Sequence, residues 1–299
     1  MAEQTAEMTP GARHVLVLGG TGTTGSRVAA RLRALGHTVR IGSRSGSPRF
    51  EWTDRATWGP ALAGVDGVFV VPVDGERLTR PFLARAEEAG VTRAVLLSGR
   101  GVDVPGYMGD GNPSGVTHID GDAAIRETGL EWTAVRPAWF AQNFSEGFFL
   151  DAVRSGELRL SAGDGAVPFV DAADIADVVV AALTEEGHQG RTYELSGPRA
   201  LTFAEAAAEI SAASGRAVRY TAVAPAEFRA ELVADGWPAE DARWYDDTLS
   251  PIRRGIDAHL SGGVREALGR EPRDFAAFVA DAADSGAWEP DSGTGPSGG

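Results

Sequence analysis

Short apolar runs alternate with amphipathic stretches through the first half of the chain, and each run ends in small or polar residues. HVLVLGG at 14–20 reads as a buried strand, and the stretch from about Thr24 to Ala34 reads as a helix with one apolar face. Further strands are predicted at Thr38 to Gly42, near Phe50, at Gly67 to Val71, at Arg93 to Ser98 and at Glu131 to Arg136, with helices at Leu78 to Ala89 and Asp120 to Glu127. Strands that alternate with helices pair in parallel through right-handed crossovers, which gives an α/β fold on a doubly wound parallel sheet.

The texture changes after Arg136. VPFVDAADIADVVVAALTEE places a strand before a helix that Asp171 or Asp174 can cap, and RTYELSG reads as one more strand. Beyond Thr202 the pattern is mostly helical, clearest in AEAAAEISAASG with a glycine at its end. The expected organisation is a tail at 1–12, a nucleotide-binding domain at 13–138, a mixed segment at 139–288 and a second tail at 289–299. Within the mixed segment, 166–189 returns to the central layer, while about 139–165 and 190–288 form a smaller, mostly helical C-terminal annex for substrate. Both tails are polar and rich in Gly, Ser and Pro, so they are predicted to be mobile.

Composition narrows the chemistry. Charged residues make up 23% and hydrophobic residues 43%, the balance of an ordinary globular protein. No apolar run approaches the ~20 residues that span a bilayer, and the N-terminus lacks the segments of a secretion signal, so a cytoplasmic protein without membrane contact is expected. A net charge of -14 disfavours nucleic acid as a partner. There is no cysteine, which removes disulfides, thiolate metal sites and cysteine nucleophiles. All 28 basic residues are arginine, so Schiff-base lysines, a P-loop lysine and a Tyr-x-x-x-Lys reductase pair are impossible. The five histidines show no metal spacing, and no metal is expected.

Gly19, Gly22 and Gly25 follow the first strand and open the first helix. That context defines a Rossmann dinucleotide site: a tight turn, close approach of backbone to pyrophosphate, and close packing of helix on strand. The helix N-terminus offers free N–H groups and a partial positive charge to the phosphates. An NAD-selective site would carry Asp or Glu at the end of the second strand, but Ser43 stands there and Arg44 follows. Serine removes repulsion of a 2′-phosphate, and a charge-assisted bond from arginine adds ~1.5 to 3 kcal/mol, so NADPH is the expected cofactor.

At this point the sequence resembles the NmrA-like, atypical branch of the short-chain dehydrogenases. The shared words are GGTGTTG, EWTDRATW, GVDGVFVVPV, AVLLSGRG and GLEWTAVRPAWFAQNFSEG with VPFVDAADIADV, over residues 14–200 and on into TYELSGPRALT. The resemblance is specific for the family and unspecific for the reaction: members include reductases of quinones, triphenylmethane dyes and secondary metabolites, and regulators that bind dinucleotides without turning them over. It implies that Thr23 and Thr24 line the pyrophosphate with the glycines, and Thr21 of the same loop is counted with them. It implies that Asp54 lies near the adenine, that Val71 and Pro72 flank the adenosine ribose, and that Ser98, Gly99 and Arg100 follow the strand under the nicotinamide ribose. Pro137, Ala138, Trp139 and Phe140 are implied as the floor beside the nicotinamide, with Asn143 close to the substrate.

The sequence also departs from the typical reductases, which use a tyrosine acid and a lysine four residues later. Aligned back from RETGLEWTAVRP, those positions hold Ser114 and His118. Hydride transfer needs no side-chain acid, because the cofactor carries that chemistry and the protein sets geometry. His118 is a candidate to hydrogen-bond the nicotinamide ribose or relay a proton, with a solvent-exposed histidine at a helix start as the alternative. Tyr107, in the glycine-rich loop GVDVPGYMGDGNPSG, is a candidate proton donor if that loop closes as a lid, and otherwise a surface residue. Trp139, Phe140, Phe144, Phe148 and Phe149, with Trp237, Trp244 and Tyr245, line either an apolar cleft or the core. Trp139, Phe140, Asn143, Phe144, Trp244 and Tyr245 are the substrate-binding candidates. The leading expectation is an NADPH-dependent reductase of a flat, conjugated carbonyl, quinone or imine-like substrate, as a monomer or homodimer. A non-catalytic NADP(H) sensor, or a biosynthetic enzyme that uses the fold for rearrangement or cyclisation, remains open.

Overall fold

A computed structural model describes residues 11–108 and 112–289. The expected mobile tails therefore lie outside the described residues except for 11, 12 and 289. In chain order the elements are β1 (His14–Leu18), α1 (Thr23–Ala34), β2 (Thr38–Gly42), α2 (Trp58–Leu62), β3 (Gly67–Val70), α3 (Thr79–Glu88), β4 (Arg93–Leu97), α4 (Pro113–Arg126) and β5 (Glu131–Pro137). There follow α5 (Leu150–Ser155), β6 (Glu157–Leu160), β7 (Ala166–Val167), α6 (Ala172–Thr184), β8 (Arg191–Leu195), β9 (Leu201–Thr202), α7 (Phe203–Ser214) and β10 (Arg219–Ala222). The last helices are α8 (Pro225–Ala234), α9 (Ala239–Arg253), α10 (Gly263–Leu268) and α11 (Phe275–Asp284).

Six strands form one parallel sheet in the order β2-β1-β3-β4-β5-β8. Because side chains alternate across a strand, Val15 and Val17 enter one layer while Leu16 and Leu18 enter the other. The first layer is covered by α1, α6 and α10, and the second by α2, α3 and α4. In α1 the fully buried Val28 and Leu32 each contribute about 1.5–3 kcal/mol of burial. Asp171 caps α6 by accepting from the Ala173 N–H at 2.8 Å, and α7 ends at the left-handed Gly215, as the sequence suggested.

The annex has its own core, in which Phe144, Phe149, Phe169, Phe203 and Phe275 pack edge to face or tilted. It is built on two small two-stranded sheets, parallel β10-β6 and antiparallel β7-β9.

The structure corrects four readings. No strand forms near Phe50: that ring is buried in a loop, edge-on to Trp52 and Phe82. The segment 191–195, assigned to the annex, is β8 of the central sheet, and α10 packs on it. The return to the central layer starts at Val170 rather than 166, since β7 pairs with β9 and Phe169 sits in the annex core. Finally, α4 begins at Pro113, seven residues before the expected start, with Asn112 capping the Gly115 N–H at 3.2 Å.

Candidate functional site

All six strands of the sheet end at one edge, and strand order reverses between β1 and β3, the place where a doubly wound sheet takes its ligand. The turn after β1 is fixed by its glycines. Gly19 adopts φ +62° and lies against Val71. The Gly22 N–H donates to the Gly19 carbonyl at 2.9 Å. A Cβ on Gly25 would stand 2.2 Å from the Gly19 oxygen, so only glycine lets α1 start this close to the turn. A Cβ on Gly22 would meet only the Gly19 oxygen, at 3.4 Å. Gly22 is therefore open on the side where a side chain would stand.

The first turn of α1 carries no acidic residue. Thr21 is exposed, Thr23 half-buried, and Thr24 buried with its hydroxyl unpartnered. Just past β2, the Ser43 carbonyl accepts from Gly46 and Phe50, while Arg44 is exposed and makes no hydrogen bond or ion pair with the described residues. Val71 and Pro72 follow β3, half-buried beside the turn. Asp54 caps a short 3-10 helix through the Ala56 N–H and holds Arg49 at 3.3 Å.

Further along the same edge, a cavity of about 270 Å³ opens beyond β4 and β5. Of the expected residues it brings together Ser98, Gly99 and Arg100 from the end of β4 with Pro137, Ala138, Trp139 and Phe140 from the end of β5. Asn143, Trp244 and Tyr245 enter from the annex, and His118 and Tyr107 from α4 and the loop before it. Phe144 does not take part. It is fully buried in the annex core, because the one-turn helix Ala141–Phe144 points it away from the cleft. Phe148 lines the opening in its place, and Asp74, Thr248 and Asp257 are lining residues that the sequence did not single out.

His118 is not a helix-start residue in solvent. It stands in the second turn of α4 with its ring over Gly99 and Nδ1 buried without a partner. Burial lowers its pKa, against the opposing fields of Asp74 and Asp122, so the imidazole is neutral at neutral pH. Four residues on, Asp122 receives Arg136 of β5 in two hydrogen bonds of 2.9 and 2.8 Å and Arg126 at 2.9 Å. Burial alone would raise the Asp122 carboxyl, but these two guanidinium groups outweigh it and hold the carboxyl below its usual range. The network fastens α4 to β5 behind Ser98.

The loop after β4 lies folded against the cleft. Its described part is fixed by Arg136 to Asp103 at 2.9 Å, by Arg254 to the Gly106 carbonyl at 3.2 Å, and by Tyr107 to Asp257 at 2.6 Å. Tyr107 is therefore buried against the ring-sized gap over Gly101, where a Cβ would fall 2.4 Å from the ring. Residues 109–111 of the expected lid lie outside the described residues. Arg100 is spent on the carbonyls of Asp257 and His259, at 3.3 and 2.9 Å.

A glycine turn at the switch point of a parallel sheet, with a cleft beside it along the same edge, defines a nucleotide-binding protein of the Rossmann class. The family model described as NAD(P)H-binding matches residues 19–186. The uncharacterized oxidoreductase YesF of Bacillus subtilis is 34% identical over 278 residues, which is 89% of this chain and 94% of that protein. The NAD(P)H azoreductase of Xenophilus azovorans is 33% identical over 281 residues, 89% of this chain and 96% of that one. The structure of the Citrobacter sp. triphenylmethane reductase complexed with NADP(H) superposes with a TM-score of 0.71 at 22% identity, over 90% of this chain and 99% of that one, which shows a shared fold. The chain belongs to the NAD(P)H-binding family. Among the described residues, no helix is long and apolar enough to cross a membrane.

Proposed function

We propose that this protein uses NADPH to reduce a flat, conjugated acceptor held in the aromatic cleft beyond β4 and β5. The observation that carries the reading is Arg44, a guanidinium with no partner among the described residues, standing past β2 where a carboxylate would select NADH. Three further features fit a dinucleotide: the open face of Gly22, the unpartnered Thr24 hydroxyl and the acid-free first turn of α1. In this reading the amides that open α1 hold the pyrophosphate, and Arg44 holds the 2′-phosphate. Bound there, the reduced nicotinamide supplies hydride.

The remaining work belongs to side chains of this chain. Trp139, Phe140, Phe148, Trp244 and Tyr245 line the cleft together, which suits a planar substrate and sheds water around it. Neutral His118, beside Gly99, offers a ring nitrogen to the nicotinamide ribose. Ser114 and His118 stand where a tyrosine and lysine would act, so acceptors such as quinones, azo compounds, cationic dyes and iminium ions fit better than simple ketones. The azoreductase and the triphenylmethane reductase, which share family and fold respectively, support this range.

The test follows the nicotinamide absorbance while purified protein meets NADPH and a panel of quinones, azo dyes, carbocationic dyes and enones. Turnover of at least one class is expected. Tight NADPH binding without oxidation across the panel would refute the reductase and leave a dinucleotide-reading regulator.

A further inference from the structure

The cleft also holds a polar cluster that the proposed function leaves without a task. It is formed by Arg100, Tyr107 and Asp257, which come together from the end of β4, the loop after it and the segment between α9 and α10. Asp257 is 1% exposed, and its Oδ1 accepts from the Tyr107 hydroxyl at 2.6 Å. Its other oxygen, Oδ2, is buried and has no partner among the described residues. The nearest cation, Arg100, stays 3.6 Å from Oδ1, with its Nη1 donating to the carbonyls of Asp257 and His259 and its Nη2 to the Ser261 hydroxyl. The other charged groups that act on the pair are His259, on Asp257, and Glu194, on Tyr107.

A carboxylate buried in this way, with one oxygen unbonded, is costly, whereas a carboxylic acid there is not. Burial raises the Asp257 carboxyl more than Tyr107 and Arg100 lower it, and burial beside Asp257 raises the Tyr107 hydroxyl, so tyrosinate is disfavoured. A lone tyrosine here would be a poor acid. A tyrosine that regains a proton as it gives one up would not.

We infer that Asp257 and Tyr107 form a proton relay that serves acceptors left as oxygen or nitrogen anions once hydride has been delivered. The inference rests on the proposed reductase function. With the Asp257 acid proton on Oδ1, along the 2.6 Å line to Tyr107, and the Tyr107 hydroxyl turned to the substrate, the Tyr107 O–H bond breaks as its proton passes to the substrate anion, and the Asp257 Oδ1–H bond breaks as its proton passes to the Tyr107 oxygen. The substrate leaves protonated, Tyr107 ends neutral, and Asp257 ends as a carboxylate facing Arg100. Water returns the proton to Asp257 once the product has left.

Two acceptors separate this role from a merely structural latch. Reduction of an aryl azo dye needs a proton, whereas a triphenylmethyl carbocation becomes neutral on taking hydride alone. The variants Tyr107→Phe and Asp257→Asn should each slow the azo dye by about a hundredfold and the carbocation by far less, and the double variant should lose no more than either single one. Equal losses on both acceptors would overturn the relay. A second readout does not depend on turnover: the infrared spectrum of the wild type at neutral pH should hold a protonated-carboxyl band that Asp257→Asn lacks. Its absence from the wild type would overturn the relay, while absence of turnover by the wild type with both dyes would overturn the reductase reading itself.

Discussion

Replacement of Arg44 by alanine isolates the selectivity of the proposed nucleotide site, because the side chain makes no bond with the described residues. Its truncation removes only what it gives to a ligand, so stability should move by less than about 0.5 kcal/mol. Against a doubly charged 2′-phosphate, a charge-assisted hydrogen bond contributes ~1.5–3 kcal/mol. The side chain is exposed, and salt screening pulls the value to the low end. The expected loss of NADPH affinity is therefore about 10- to 30-fold, with NADH changed by less than about twofold.

Titration calorimetry with both cofactors at two ionic strengths measures this directly, and the NADPH loss should shrink at higher salt. Arg49→Ala serves as a control nearby. That guanidinium is already bonded to Asp54 at 3.3 Å and lies 3.9 Å from Glu51, so its removal should weaken NADPH less. Equal losses for the two cofactors, or a larger effect at Arg49, would refute the assignment and place the 2′-phosphate elsewhere.

Other outcomes follow from the same geometry. Gly25→Ala sets a methyl 2.2 Å from a backbone oxygen and should cost about 1–3 kcal/mol of stability, whereas Gly22→Ala, with its single contact at 3.4 Å, should melt like the wild type yet bind dinucleotide at least about tenfold more weakly. Thermal melts beside calorimetry separate the two, and a cold melt for Gly22→Ala would contradict the open face. Asp122→Asn leaves buried Arg136 without its main partner and should lower stability by about 3 kcal/mol in denaturant titrations; a change under about 1 kcal/mol would show the network to be dispensable. Because burial holds the pKa of His118 below 6.5, the unfolded chain takes up a proton first, so its stability contribution is complete above about 6.5 and is lost as pH falls from there through the folded value. His118→Asn should flatten that part of the melting-temperature profile, and an unchanged slope would mean that the ring is not desolvated.

What the sequence made legible is what neighbouring residues decide. The turn at 19–25 and the ends of β1, β2, β4 and β5 are set by local apolar periodicity and by glycines within a few positions, and the parallel sheet follows from their alternation. The start of α4 was hidden because Gly115 and Gly121 weaken the helical pattern, although Pro113 after Asn112 is the kind of start signal that could have shown it. Phe144 and Phe148 look alike in FAQNFSEGFF, and only the packing of a single helical turn sends one into the annex core and leaves the other at the cleft. Asp257 carried no signal at all. It sits in an ordinary GIDAHL stretch, and its bond to Tyr107 joins residues 150 positions apart.

That distance also shapes the chemistry. On α4, a proton donor would stand in the cleft permanently, since Asp122 and Arg136 fasten the helix to β5. On the loop after β4, Tyr107 meets its partner through the same set of contacts that holds the described part of the loop, made at Asp103, Gly106 and Tyr107. In the proposed relay, closure of the loop onto Asp257 and supply of the proton share one group, the Tyr107 hydroxyl. An acceptor that needs only hydride gains nothing from that closure beyond exclusion of water, whereas one that needs a proton gains both. Acceptor chemistry, more than acceptor shape, should therefore decide how strongly turnover depends on this loop.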